Sequence, residues 1–268
     1  MSHYLVIDLK ARKTNMLQSL GLVSPAPVLP AVLAMHALDR NLQWRLGVRG
    51  VGLVHKHCEP WIDYLDNKGF LEPAVVQRRG GYLFDSEAKP QATSMQPMAL
   101  ADIEWTLLLH CEHEISDVED VRRTLSVMRL AGGVIEHTRV WGFTQWDEAL
   151  RALRAGRWIE DVTERMQPAH HPVRALLEAT KAGQGWVVPA NLGYALLETP
   201  GARPGARDGR THAFAEHMMG LVCYTSLFKI KKAGLNPTNL WRYGWDGDQF
   251  LVTNRPDVRL SPSRRVAA

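Results

Sequence analysis

Two short clusters place metal-ligating side chains close together, His55-Lys56-His57-Cys58 and His110-Cys111-Glu112-His113. Zinc takes nitrogen and sulfur ligands in a tetrahedral array. Neither cluster has the paired spacing of a zinc site, and adjacent residues on a strand point to opposite faces. Buried cysteines beside surface histidines are therefore expected, and no metal. The sequence contains no G-x-S-x-G nucleophile elbow, no H-E-x-x-H and no phosphate-cradling G-x-x-x-x-G-K-[ST]. Gly50-Val51-Gly52 lacks the further glycine and the following helix of a dinucleotide fingerprint, so no cofactor is expected. Asp246 and Asp248 fall in turn chemistry rather than in a carboxylate pair. His36 has the type and place for proton transfer. It lies on the polar side of a predicted helix, and an imidazole suits the role of general base on a ribose 2′-OH. The sequence displays no acid partner for it.

Basic groups give the stronger signal. The formal charge is only +4, but from Thr199 to the end there are 11 basic residues against 5 acidic. Arg203, Arg207 and Arg210 sit on a Gly/Pro-rich stretch, where guanidinium forks and close backbone N–H groups suit a phosphate clamp. Lys229, Lys231 and Lys232 follow Tyr224 and Phe228, and Arg242 lies between Trp241 and Tyr243. Cations interleaved with aromatic rings suit single-stranded RNA, where stacking adds to phosphate contact.

These groups need elements to position them. His3 to Lys10 alternates as a strand, and Pro30 opens a predicted helix to about Leu46 with Ala31, Met35, Leu38 and Leu42 on its apolar stripe. Gly50 to Cys58 reads as a second strand. Residues 60–98, interrupted by glycines and prolines, read as an extended excursion with Arg78 and Arg79 near a hairpin tip. Ile103 to Cys111 alternates clearly, Ser116-x-x-Glu119 is a capping box for a helix that ends at Gly132-Gly133, and Val134 to Phe143 is a strand. That order gives an α+β fold with a ferredoxin-like βαββαβ core, the architecture of RNA-recognition modules. It also gives two regions: 1–143, the core with its thumb-like excursion, and 144–268, a helical linker and basic C-terminal subdomain packed on that core. Asp147 to Ala155, His171 to Lys181 and His212 to Leu221 are predicted helices. Trp241 to Val252 is a predicted hairpin turned at Asp246-Gly247.

Met128-Arg129-Leu130-Ala131-Gly132-Gly133 and Gly185-Trp186-Val187-Val188-Pro189-Ala190-Asn191-Leu192-Gly193-Tyr194 carry a resemblance, supported by Met35-His36-Ala37-Leu38, His217-Met218-Met219-Gly220-Leu221 and Leu240-Trp241-Arg242-Tyr243. In that order the stretches resemble the second Csy subunits of type I-F CRISPR surveillance complexes, a Cas-five-like RAMP family. The resemblance implies a non-catalytic, RAMP-type subunit that grips the 5′ handle of crRNA and pairs with the large subunit. It also implies contact with backbone RAMP subunits through the thumb, and target DNA as a partner of the whole complex. Arg129, Gly132 and Gly133 match the family's Met-Arg-Leu-Ala-Gly-Gly stretch and become RNA-contact candidates. His36 matches a family histidine not credited with cleavage, and is carried as a contact. Between Phe143 and Trp186 the chain is shorter than type I-F members, which points to a variant or minimal system. Two alternatives stay open: a crRNA-processing endoribonuclease using His36, and a subunit that itself reads the protospacer-adjacent motif.

Composition sets the outer bounds. The 268 residues, 46% hydrophobic, suffice for a sizeable core. No apolar run reaches the length of a membrane helix, so no membrane partner is expected. Three dispersed cysteines exclude a disulfide scaffold and predict a reducing compartment, the cytoplasm.

Overall fold

Central strands with apolar side chains on both faces build the centre of the molecule. A computed structural model describes residues 3–19, 22–67, 69–75, 99–115, 117–166, 172–181, 186–204 and 211–262. The first part of the chain forms β1 (His3–Asn15), β2 (Leu17–Ser19), β3 (Leu22–Val23), α1 (Val28–Asn41), β4 (Val48–Pro60), β5 (Ile62–Asn67) and β6 (Phe70–Val75). Then come β7 (Leu100–Cys111), α2 (Val118–Ser126), β8 (Arg129–Leu130), β9 (Gly133–Phe143) and α3 (Trp146–Ala152). The remainder gives β10 (Arg157–Asp161), α4 (Pro172–Lys181), β11 (Trp186–Leu196), β12 (Ala215–Ser226), α5 (Leu227–Lys232), β13 (Arg242–Asp246) and β14 (Gln249–Thr253).

On β1, Leu5, Ile7, Leu9 and Ala11 point to one face, and Ile103, Trp105, Leu107 and Leu109 of β7 join them there. The two strands run antiparallel with Ile7 opposite Leu107 and Leu9 opposite Trp105. α1 and α2 lie over this face, burying Leu29, Val32, Met35 and Leu38 from the first helix and Val121 and Leu125 from the second. Each such aliphatic side chain contributes roughly 1.5–3 kcal/mol when fully buried. The opposite face carries Tyr4, Val6, Val54 and Leu108, covered by Ala149 of α3, Leu153, Trp158 and Leu227 of α5.

Among the described residues the strand order is β13-β14-β11-β12-β10-β4-β7-β1-β9-β8, a ten-stranded sheet, with β2-β3 and β5-β6 as separate hairpins. Every pairing in it is antiparallel. Sheet and helices together make an α+β fold consistent with a ferredoxin-like architecture. The sheet runs on past residue 143, because β10 pairs along the outer edge of β4 through Arg157 opposite His55 and Trp158 opposite Val54.

Several local expectations change. Residues 212–221 are not a helix: Ala215–Ser226 is the strand β12, paired with β11 from Tyr224 opposite Trp186 to Ala215 opposite Leu196. Cross-strand pairing overrides the helix propensity of this Met- and Leu-rich stretch. α1 stops at Asn41, because Gln43 and Trp44 both take positive φ (58° and 62°) and the buried Asp39 carboxylate accepts hydrogen bonds from the Leu46, Gly47 and Val48 N–H groups. The cap of α2 is Asp117, which accepts from the Glu119 and Asp120 N–H groups. The hairpin in the excursion turns around Gly69, at φ 87°. Arg78 and Arg79 lie outside the described residues, as do Arg207 and Arg210.

Candidate nucleic-acid interface

β9 runs along β1 with Phe143 opposite Tyr4, Trp141 opposite Val6 and Arg139 opposite Asp8. Period two therefore puts Arg139, Trp141 and Phe143 on one face, the one that α3 only partly covers. Arg151, near the end of α3, and Arg154 just beyond it face the same opening. Together with Asp8 and Lys56 they line a cleft of about 730 Å³. Lys56 Nζ lies 2.6 Å from Asp8 Oδ1, and Thr106 donates its hydroxyl to the same oxygen. Asp8 is thereby neutralised. Arg139, Arg151 and Arg154 have no ion-pair partner among the described residues, and Glu148 is the other carboxylate lining the cleft. Further along the face the charges cancel: Lys10 pairs with Glu104 at 3.4 Å, and Arg12 with Asp102 and Glu136 at 3.3 Å each. Among the described residues along this stretch of β1 and β9, uncompensated positive charge thus lies at the α3 end, beside Trp141, which is 41% exposed.

This arrangement can do two things. Unpaired guanidinium groups take phosphate oxygens bidentately without first giving up a carboxylate. An exposed indole beside them offers a surface on which a base can stack.

The sequence-predicted contacts are dispersed. Leu130 and Gly133 flank the two-residue turn between β8 and β9, where Ala131 and Gly132 have φ of 48° and 77°, and Arg129 lies one position further out, opposite Val134. Arg129 is exposed and donates to the Gly132 carbonyl at 3.2 Å. Gly133 is required by close approach, since a Cβ there would lie 2.6 Å from the Arg12 carbonyl oxygen. This turn is at the opposite end of β9 from Phe143, about 30 Å away at strand rise. Arg203, in the connection between β11 and β12, pairs with Glu198 and lies 4.5 Å over the Phe214 ring. It sits towards the other edge of the sheet from Arg129. Lys231 donates to the Leu153 carbonyl at 2.7 Å, and burial lowers its pKa. Lys229 and Lys232 share its helix, which packs with α3 over the same face. Arg242 donates to the Arg255 carbonyl at 2.7 Å and serves the fold.

His36 is held by a hydrogen bond between its Nδ1 and the Tyr243 hydroxyl, with the Trp44 ring at 5.0 Å. Burial first, and Arg40 second, lower its pKa. The nearby Asp39 carboxylate is committed to backbone N–H groups. The two His/Cys clusters do not meet, because His57 and Cys58 lie opposite Glu104 and Ile103 while His110 lies opposite Gly50. Among the described residues no three His, Cys, Asp or Glu side chains are grouped to hold a metal ion. No described helix is long and apolar enough to cross a membrane.

Sequence reasoning missed Arg139, Arg151, Arg154 and Trp141. The signal was present: Arg139, Trp141 and Phe143 fall at i, i+2 and i+4 of a strand, followed by Arg151 and Arg154 three apart.

Among solved structures the chain is similar to a CRISPR protein from Archaeoglobus fulgidus, at 8% identity and a TM-score of 0.26, over 94% of this chain and 99% of that one. A likeness of that degree places no residue and carries no functional weight. No protein-family profile matches the chain, and no curated protein does.

Proposed function

We propose that the protein is an RNA-binding subunit of a CRISPR surveillance ribonucleoprotein, holding the 5′ handle of crRNA and pairing with the large subunit, without turnover of its own. In this reading β1, α1, β4, β7, α2 and β9 are the ferredoxin-like RAMP core, and β5-β6 is the base of the thumb. The observation that carries it is the cleft on the open sheet face, where three unpaired arginines border an exposed tryptophan. Sheet faces of this kind meet single-stranded RNA through stacked bases, with cations on the phosphates. The serial resemblance of Met128–Gly133, Gly185–Tyr194 and Leu240–Tyr243 to the second Csy subunits supplies the CRISPR context.

The endoribonuclease alternative lacks comparable support. His36 is engaged by Tyr243, and its lowered pKa reduces its capacity as a base.

Binding of synthetic crRNA tests the reading. Handle-bearing RNA should bind more tightly than the same length with a scrambled handle, most strongly in the presence of the partner subunits. Equal affinity for both RNAs, or cleavage of pre-crRNA that is lost in His36→Ala, would overturn it.

A further inference from the structure

A second cleft, of about 690 Å³, lies on the other face of the sheet, where the Trp105 and Tyr224 rings pack on His55, and meets the first at the β4 edge through Lys56, which lines both. Its walls are Met16, Pro25, His55, Cys58, Arg157 and Trp186, drawn from the end of β1, the loop before α1, β4, β10 and the start of β11. Gly156 makes the meeting of β10 with β4 possible: it has φ 119°, and a Cβ there would lie 2.6 Å from Val54.

The chemistry of these walls differs from that of the arginine groove. Cys58 lies with its Sγ 3.3 Å from Met16 Sδ, and burial pushes its thiol up to about 11, so it is an inert apolar surface rather than a nucleophile or ligand. His55 is 6% exposed, and its Nε2 has no hydrogen-bond partner among the described residues. Tyr224 behind it has a buried hydroxyl in the same condition, with ring centroids 5.0 Å apart. Leaving such groups unpaired is costly. The other His55 ring nitrogen faces the His57 backbone, an interaction that favours a proton there, and burial holds the imidazole pKa down at about 4. At neutral pH the ring is uncharged and Nε2 is an acceptor. Trp186, 52% exposed, packs against Tyr224 with centroids 4.9 Å apart and the ring planes tilted by 32°, and the Arg157 guanidinium lies 5.7 Å from its ring.

Apolar and aromatic walls, a neutral buried acceptor and cations only at the mouth do not suit a phosphate. They suit a flat, uncharged heterocycle that carries an N–H, attached to an anionic chain. We propose that this cleft takes one unstacked nucleobase of a strand that passes round the β4 edge from the arginine groove on the other face, with Trp186 on the base's face and His55 Nε2 at its edge. Arg157, which has no ion-pair partner among the described residues, would meet the adjoining phosphate. The inference rests on the RNA-binding reading for the source of the base, and adds to it a point of sequence discrimination on the other face of the sheet.

The test is a series of short single-stranded RNAs, each with one abasic position, measured by fluorescence anisotropy. One position should weaken binding by about tenfold or more, the scale of a lost base stack. In Trp186→Ala that penalty should fall below about threefold. His55→Phe should act likewise, and if this buried variant fails to fold, Trp186→Ala decides. If intact RNA binds while every abasic position costs less than about threefold, the base pocket is overturned and the RNA-binding reading stands. If no RNA binds, that reading fails, and free ribonucleosides observed by saturation-transfer NMR settle the cleft. Transfer that Trp186→Ala abolishes supports a nucleobase pocket; no transfer to any nucleoside overturns it.

Discussion

Replacing Arg139, Arg151 and Arg154 together by glutamine should change how RNA binding depends on salt. Each phosphate neutralised on a single strand adds about 0.7 to the slope of log K against log salt. Three contacts therefore account for about 2 in that slope, or about an 18-fold share of the affinity lost between 50 and 200 mM salt. None of the three arginines has an ion-pair partner among the described residues, so their removal orphans no described carboxylate. Stability should accordingly stay within about 0.5 kcal/mol of the parent, as for ordinary surface substitutions. The assay is anisotropy with a handle-bearing RNA at several salt concentrations, beside thermal melting of the protein. Arg203→Gln provides the contrast, since that guanidinium is committed to Glu198 and should move the slope little. A triple variant that loses affinity equally at all salt concentrations, or keeps the parent slope, refutes the assignment of this cleft to phosphates.

Asp39→Ala should cost about 3–5 kcal/mol in urea denaturation, because three backbone N–H groups lose a charged acceptor. A loss below about 1 kcal/mol would show that the α1–β4 turn does not depend on it. Gly193→Ala should destabilise by about 3 kcal/mol, since its Cβ would lie 2.0 Å from the Phe250 carbonyl oxygen and push β14 from β11; an unchanged melting temperature would contradict that packing. Burial depresses the His55 pKa to about 4, so as pH falls the unfolded chain takes up its proton first. The stability tied to His55 is complete above about pH 6.5 and declines towards pH 4, by about 3 kcal/mol in all. His55→Phe should therefore lose less stability than the parent between pH 7 and 4.5, and identical slopes would argue against a neutral buried imidazole.

What could be read in advance was the part governed by local alternation. β7 shows it, with Ile103, Trp105, Leu107 and Leu109 buried in one core. The hairpin of β13 and β14 was legible for the same reason, although its turn falls at Gly247-Asp248, one residue later than expected. β12 was not legible, because Met218, Met219 and Leu221 favour a helix in isolation and become a strand only when β11 lies alongside. Site residues followed the same division. Net charge drew attention to the C-terminal arginines and lysines, yet Arg203, Lys231 and Arg242 are engaged within the fold. The unpaired arginines lie in a stretch of mixed charge, where only the strand face shows that Arg139 stands with Trp141. His55 and Trp186 are far apart in sequence and line one cleft because both rings pack against Tyr224 of β12, the strand beside β11.

The junction between β4 and β10 has a consequence for synthesis. It consists of two residue pairs, Arg157 with His55 and Trp158 with Val54. During translation, β1, β7 and β9 can pair and be roofed by α1 and α2 as soon as residue 143 has emerged. Throughout that interval the outer edge of β4 has no neighbour, and an unpaired edge is a template for another chain. Trp158 closes part of that edge: it is fully buried and seats against Gly52, where a Cβ would come within 2.6 Å of the indole, while Val51 gains its backbone partner only when Trp241 arrives. A nascent chain emerged only as far as residue 157 would carry that edge wholly open, and one emerged past Trp158 would still lack the pairing of Trp241 with Val51.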